Sequence, residues 1–278
     1  MMGTNYSQPS RWAGHLTLAL IALVLIFPHV VMVVTSLKSL KEVYTLPLSF
    51  FPRILHPENY IQMWFALPLS DYFRSSLIIA TGATTLALVL TIPAAYAVAR
   101  KGFKGHLALL FTALTFQMFG PITIIVGLFK VMNNYGLIDT YLALILINAA
   151  FNCPLMLWLL QAYLRGIPIS MDESAKIDGA SDLRIITSII VPQLKPAILV
   201  AGSMTFVNSW NEYLSALTFI STPFKKPLPV GLTGFVGRYQ INWHYLMGGS
   251  LVSTIPVAIV FFFCMKYMIG GLMIGSSK

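Results

Sequence analysis

The sequence is short of charge. Lysine, arginine, aspartate and glutamate make up 10% of its 278 residues, against roughly 25% in a soluble domain. Acidic residues are scarcest, nine against eighteen basic ones. The two cysteines, Cys153 and Cys264, lie in apolar runs. Two are too few for a disulfide framework or a zinc-binding spacing, and they read as small core residues. Five histidines are scattered without an HExxH pair, so no metal site is expected. His29, inside the first apolar run, reads as a structural histidine. The sequence contains no GxxxxGK[ST] phosphate loop and no GxSxG elbow. The chain is therefore not expected to bind ATP or any other cofactor, or to carry out acyl transfer. No basic cluster is interleaved with exposed aromatics, so nucleic acid is not an expected partner.

Apolar residues are what the sequence has in excess. They make up 57% of the chain, and the mean hydropathy is +0.77. This is the composition of an integral membrane protein. The net charge of +9 then fits Lys and Arg in loops beside anionic lipid. Six apolar runs stand out, at about 13–35, 73–99, 107–128, 140–162, 197–220 and 246–269. A run near 20 residues crosses roughly 30 Å of hydrocarbon at 1.5 Å per residue. In lipid the backbone must be satisfied internally, which forces helices. The expectation is an all-α membrane protein with six transmembrane helices, forming one transmembrane domain over 1–278.

The connections differ in character. The polar stretch 36–72 contains Pro47, Pro52, Pro57 and Pro68 among aromatic residues, which predicts short interfacial helices. Gly120-Pro121 interrupts the third run, and Pro93 sits near the end of the second. Arg100, Lys101 and Lys104 lie in the loop 99–106, against Lys130 alone in 129–138. By the positive-inside rule 99–106 is cytoplasmic. Both termini and the insert 163–196 are then cytoplasmic, and 36–72 and 221–246 face outside.

The insert holds Asp172, Glu173, Asp178 and Asp182, four of the nine acidic residues. Ser170-Met171-Asp172-Glu173 fits a capping box, with a helix at about 171–178 that stops at Gly179. Ser181 then caps a second helix at about 182–191. Pro192 ends that helix and Pro196 opens the fifth span. This is a short polar helix lying across the membrane axis, suited to contact with another protein in water.

Within the fifth run, Thr205, Asn208, Glu212 and Ser215 recur at spacings of three and four, which places them on one face of a continuous helix. Glu212 is the single acidic residue in any run, about 23 Å along that helix from Ala197. Three readings are open for it: a helix–helix hydrogen bond, the wall or outer gate of a pathway, or a proton relay. Asn148, Asn152, Asn211 and Gln117 are further lining candidates.

Several segments share one resemblance. Glu173-Ser174-Ala175, Asp178-Gly179-Ala180 and Ile190-Val191-Pro192…Pro196 resemble the EAA loop of ABC importer permeases. Pro93-Ala94-Ala95-Tyr96-Ala97…Ala99-Arg100, Tyr135-Gly136-Leu137-Ile138-Asp139-Thr140, Trp210-Asn211-Glu212-Tyr213 and Gly270-Gly271-Leu272…Gly275…Lys278 resemble motifs of the sugar-type, binding-protein-dependent branch. The smaller permease subunits of maltose-type transporters are the nearest group. Ser174 replaces the usual second alanine, and Ser75 stands where an asparagine is frequent.

The resemblance implies the type I importer permease fold and the role of a transporter subunit without its own ATPase site. It implies a bacterial or archaeal cytoplasmic membrane location. The implied partners are a second homologous permease subunit, a cytoplasmic ATP-hydrolysing subunit dimer that holds ATP and magnesium, an extracytoplasmic solute-binding protein, a carbohydrate substrate and the lipid bilayer. Carried over residue by residue, the helix with Asp172, Glu173, Ala175, Asp178, Gly179, Ala180, Pro192 and Pro196 couples to the ATPase. In that scheme Ala175 and Gly179 allow close approach to the partner. The tail at 271–278 reaches the ATPase interface, and the loop 221–246 contacts the binding protein. Rival expectations are a proton-coupled carrier that works alone and a membrane enzyme.

Overall fold

A computed structural model describes residues 8–102 and 104–275. In chain order the helices are α1 (Gln8–Ser36), α2 (Leu40–Tyr44), α3 (Asn59–Ala66), α4 (Leu69–Tyr96), α5 (His106–Met118), α6 (Pro121–Asn134) and α7 (Tyr141–Arg165). After α7 come α8 (Ser170–Ile177), α9 (Asp182–Ile185), α10 (Val191–Gln193), α11 (Lys195–Trp210), α12 (Leu214–Phe219), α13 (Leu228–Gly231) and α14 (Trp243–Gly275). Two wide π turns, Ala97–Lys101 and Ile186–Ile190, extend α4 and join α9 to α10. Among the described residues there is no strand, only an isolated bridge between Val236 and Ile241.

Among the described residues four helices are long and apolar enough to cross a membrane, or up to six if each of two bent pairs counts as one span. The first bent pair is α5 with α6, turned by 99°, at the Gly120-Pro121 interruption. The second joins Asp182–Gln193 to α11 at 83°. Three segments read as connection or tail are helical. The helix after Gly120 runs on to Asn134, the second span begins at Leu69, and α14 extends to Gly275. Lys278 lies outside the described residues.

The chain divides into two compact units. One comprises the chain up to Leu67 with Leu232–Thr254. Its α1 is apolar all round, with Leu16, Val24, Leu25 and Phe27 more than half exposed, the surface of a helix that faces lipid. The polar connection after α1 is knitted by its own side chains. The amide of Asn59 donates to the carbonyls of Ser36 and Lys38 at 2.8 and 2.9 Å. Glu42 accepts from the Arg53 amide at 2.7 Å. These bonds satisfy backbone groups that the four prolines of the stretch leave without a helix. The predicted short helices are α2 and α3.

The other unit comprises Pro68–Gly231 and the chain from Ile255. Its core is α4 packed along α7 and α11. The α4 face turned inward is a stripe of small residues: Ser76, Ala80, Ala83, Ala87, Thr91 and Ala95, none more than 3% exposed. Their spacing of three and four keeps them on one face, and small side chains let helices approach closely where no hydrophobic force drives them together. Of its two polar members, Thr91 spends its hydroxyl donor on the Ala87 carbonyl within its own helix, and Ser76 accepts from the Leu228 amide.

Asp139, in the turn between α6 and α7, clasps the segment after α12. It holds a left-handed backbone at φ 60°, and its amide donates to the Phe219 carbonyl at 2.9 Å. Its carboxylate accepts from the amides of Ser221 and Thr222, the Thr222 hydroxyl and the Lys225 ammonium, at 2.6–3.0 Å. Burial opposes its ionisation. The bonds from Thr222, Lys225 and Ser221 outweigh that cost and hold its carboxyl well below the usual carboxylate range.

Two tests follow from this packing. Ala87→Leu forces methylenes into the α4 seam and should cost about 1–3 kcal/mol, read as a lower melting temperature of the purified chain in detergent. For Asp139 the folded-state value is depressed. Its stabilisation is therefore complete above the unfolded value near 4 and is lost as pH falls toward the folded value. Asp139→Asn should melt lower than wild type by a constant margin from pH 8 to 5, and the margin should shrink below about pH 4. A margin absent at neutral pH would contradict the clasp.

A candidate coupling site and a broken polar span

α8 begins and ends for different local reasons. Its start is not the expected capping box. Ile169 is already helical (φ −67°, ψ −28°) and makes no side-chain cap. Its carbonyl accepts from the amides of Asp172 and Glu173. Pro168, with a φ preset for helix, starts the turn before Ser170 is reached, so the serine sits inside the helix. The end is as expected. Gly179 takes φ +79°, its amide donates to the Lys176 carbonyl, and the Ala180 amide reaches the Ala175 carbonyl at 2.9 Å. That pair of bonds is a Schellman stop, and the left-handed residue favours glycine. Ser181 then accepts from the Arg184 amide and caps α9.

The second helix does not end at Pro192. The chain continues through the π turn at Ile186–Ile190 into α10, where Pro192 occupies the first turn, and it bends after Gln193. A widened turn just before the proline lets the helix carry a residue without an amide donor. Pro196 opens α11 in its first turn, as expected.

The residues of α8 divide between two faces. Asp172 and Ala175 are 2% and 8% exposed. Ala175 packs into the unit's own core beside Tyr96, Leu164, Ile185 and Ile190, so its small size serves internal packing. Asp172 pairs with Arg100 at 2.8 Å, with side chains 4% and 6% exposed. Arg100 also donates to the Ile167 carbonyl at 2.9 Å, and the buried Tyr96 hydroxyl lies beside the same carboxylate. The next residue, Lys101, pairs with Asp182 at 2.6 Å on the surface. Glu173, Lys176, Asp178 and Gly179 stay exposed, and Ile177 is 87% exposed. Ala180 is partly buried. The outer face of α8 is thus acidic with an apolar tip, and its inner face is bolted down.

The fifth run is not one helix. α11 ends at Trp210, and α12 begins at Leu214. Glu212 stands in the break, where its two carboxylate oxygens accept from the amides of Ser215 and Ala216 at 2.6 and 3.1 Å. A carboxylate in apolar surroundings needs donors, and the free amides at a helix start supply them while the dipole favours its charge. Thr205, Asn208, Glu212 and Ser215 therefore do not share one helical face. Asn148 and Asn152 are buried in α7, each donating to the carbonyl four residues back. The Asn208 amide donates across to Asn152 Oδ1 at 2.9 Å, a bond between α11 and α7. Thr205 and Ser215 are 2% exposed. Asn208 and Asn211 remain exposed. Gln117 is the polar residue lining a cavity of about 620 Å³ that is otherwise apolar, walled by Phe116, Phe119, Ile124, Phe151 and Pro154.

Sequence reading missed two side chains that organise this unit. By charge counting Arg100 is a loop residue, though it ends a helix and is the first basic residue after an apolar run. Asp139 was noted only within a motif, though its position directly before the Thr140 cap of α7 marks a turn.

Comparison with known proteins fits this geometry. Residues 87–270 match the family described as binding-protein-dependent transport system inner membrane component. The chain is 33% identical to the inner membrane ABC transporter permease protein YcjP of Escherichia coli, over the full length of both. It is 34% identical to the trehalose/maltose transport system permease protein MalG of Thermococcus litoralis, covering 93% of this chain and 94% of the relative. Among solved structures, it superposes on a chain of a bacterial ABC transporter involved in the import of the acidic polysaccharide alginate. The TM-score is 0.80 and the identity 23%, over 94% of this chain and 98% of that one. The chain has the type I importer permease fold and belongs to the family of binding-protein-dependent transport system inner membrane components.

Proposed function

We propose that this chain is one half of a heterodimeric permease that imports a carbohydrate or sugar derivative. The energy comes from ATP hydrolysed by a separate cytoplasmic subunit dimer, which would hold ATP and magnesium. The insert with α8 and both termini are cytoplasmic in this reading, 36–72 and 221–246 face outside, and 221–246 contacts the solute-binding protein. The carbohydrate assignment rests on the relatives, among them permeases named for trehalose/maltose and for sulfoquinovosyl glycerol.

One observation carries the coupling role. α8 presents Glu173, Asp178 and the apolar tip at Ile177 outward while its inner face is held by its own unit. A polar helix anchored on one face and acidic on the other suits a groove with a basic residue. Glu173 supplies the charge, and the glycine stop at Gly179 lets the partner approach the helix end. Asp178 supports that turn. Asp172 and Ala175 act from behind, as parts of the mount.

The pathway role narrows in the same way. Asn208 and Asn211 are the exposed amides of the fifth run and would line the route. Asn148, Asn152, Thr205 and Ser215 pack the wall behind them. Glu212, with both oxygens on backbone amides, holds the break in the helix.

The test uses the assembled complex in proteoliposomes. Its cognate binding protein is first screened by melting shift against maltose, trehalose, raffinose and diacetylchitobiose. Glu173→Lys should reduce ATP-dependent uptake of the stabilising sugar by about tenfold or more, since reversing a charge in a desolvated contact costs several kcal/mol. It should also reduce retention of the ATPase on the purified permease. Unchanged uptake with unchanged retention would remove the docking role.

A further inference from the structure

We propose that Arg100 is the positioning residue through which movement of α8 enters the second span. The proposal deepens the docking role given above to α8 and rests on it. The guanidinium holds two points on one arm. Nε meets Asp172 Oδ2 at 2.8 Å, inside α8, and Nη2 donates to the Ile167 carbonyl at 2.9 Å, on the approach to α8. The contact to Asp172 is a close ion pair whose Nε–H is not aligned as a hydrogen bond, and the bond to the Ile167 carbonyl fixes the guanidinium beside it. α8 cannot swing away from its approach without breaking one of these two contacts.

The π turn that carries Arg100 also presents Lys101 to Asp182. Two adjacent residues therefore grip the chain on either side of the Gly179 stop. The two grips differ in weight. Lys101 and Asp182 are 56% and 44% exposed, and a pair in that setting adds little. Arg100 and Asp172 are almost wholly buried, where water neither screens the pair nor competes for it.

Stability alone does not call for this pair. Its surroundings are already an apolar core of Val98, Leu164, Ala175 and Ile186, and apolar side chains of similar volume serve such a core as well as or better than a buried ion pair. What the ion pair adds is a fixed orientation between α8 and the end of α4. A force applied at the exposed tip, Ile177, then passes through Asp172 and Arg100 into a helix whose small-residue face is packed along α7 and α11.

The experiment places spin labels at Ser170 on α8 and Leu90 on α4, both exposed, with Cys153 and Cys264 replaced by alanine. Pulsed dipolar spectroscopy reads the label separation in the assembled complex, without nucleotide and with ATP and vanadate. In the Arg100-containing complex one narrow distribution should persist in both states. Arg100→Ala should broaden it and make it shift with nucleotide. Arg100→Lys keeps the charge but cannot reach both acceptors, and it should give an intermediate width. Asp172→Asn, which keeps the shape of the side chain, should behave like Arg100→Ala. Each variant is first checked for a monodisperse complex that retains the ATPase, and the Glu173→Lys complex reports separately on docking. Distributions for Arg100→Ala and Asp172→Asn that match the parent, in complexes that retain the ATPase, would overturn the proposal while leaving the docking role intact. Loss of docking with Glu173→Lys alongside broadened distributions in the Arg100 variants supports both.

Discussion

A buried ion pair between Arg100 and Asp172 is the constraint on which the rest of this unit depends. Removing one partner of such a pair leaves an uncompensated charge and costs about 3–5 kcal/mol. The pair joins two elements with different tasks. α4 is a long apolar helix whose inner face is alanine, serine and threonine, so it packs tightly along α7 and α11. α8 is short, acidic and exposed, so it has little to bury and cannot hold its own position. A helix of eight residues is marginal alone. Pro168 and Gly179 fix its ends, but the carboxylate of Asp172 fixes its place.

The same economy runs through the polar groups of the spans. Several buried polar side chains are spent near their own backbone or on one neighbour. Asn148 and Asn152 donate to the preceding turn, and Asn152 accepts from Asn208. Glu212 takes the amides that a helix break sets free. The breaks themselves fall at Gly120-Pro121 and at Asn211–Tyr213, where non-helical backbone needs other partners if it lies at membrane depth. In the proposed role, the exposed amides of Asn208 and Asn211 face the cargo.

Much of this was legible in the residues. Apolar run length gave the spans, and the interruption at Gly120-Pro121 is a bend of 99°. Gly179 and Ser181 act as read, because a left-handed stop and a serine cap depend on a few neighbouring atoms. The failures share one physical cause. Ser170 looked like a cap because capping boxes are local patterns, but the proline two residues earlier had already begun the helix. Glu212 looked like a member of a continuous face because spacing assumes an unbroken helix. Its own need for donors is what the break satisfies. Asp172 looked like a partner contact because charge reads as surface, and nothing in a linear chain reveals that Arg100, 72 positions earlier, turns it inward. Long-range pairing is the information that spacing does not carry.

The central claim is that α8 and the end of α4 move as one body. It is tested most directly by structures of the assembled transporter in two states, one without nucleotide and one with ATP bound. The account predicts that Arg100 Nε and Asp172 Oδ2 stay in contact near 2.8 Å in both, with residues 95–101 and 167–177 superposing as a rigid unit while they shift against the rest of the permease. An ion pair that opens in either state, or an α8 that rotates against Arg100 as the ATPase closes, would contradict it.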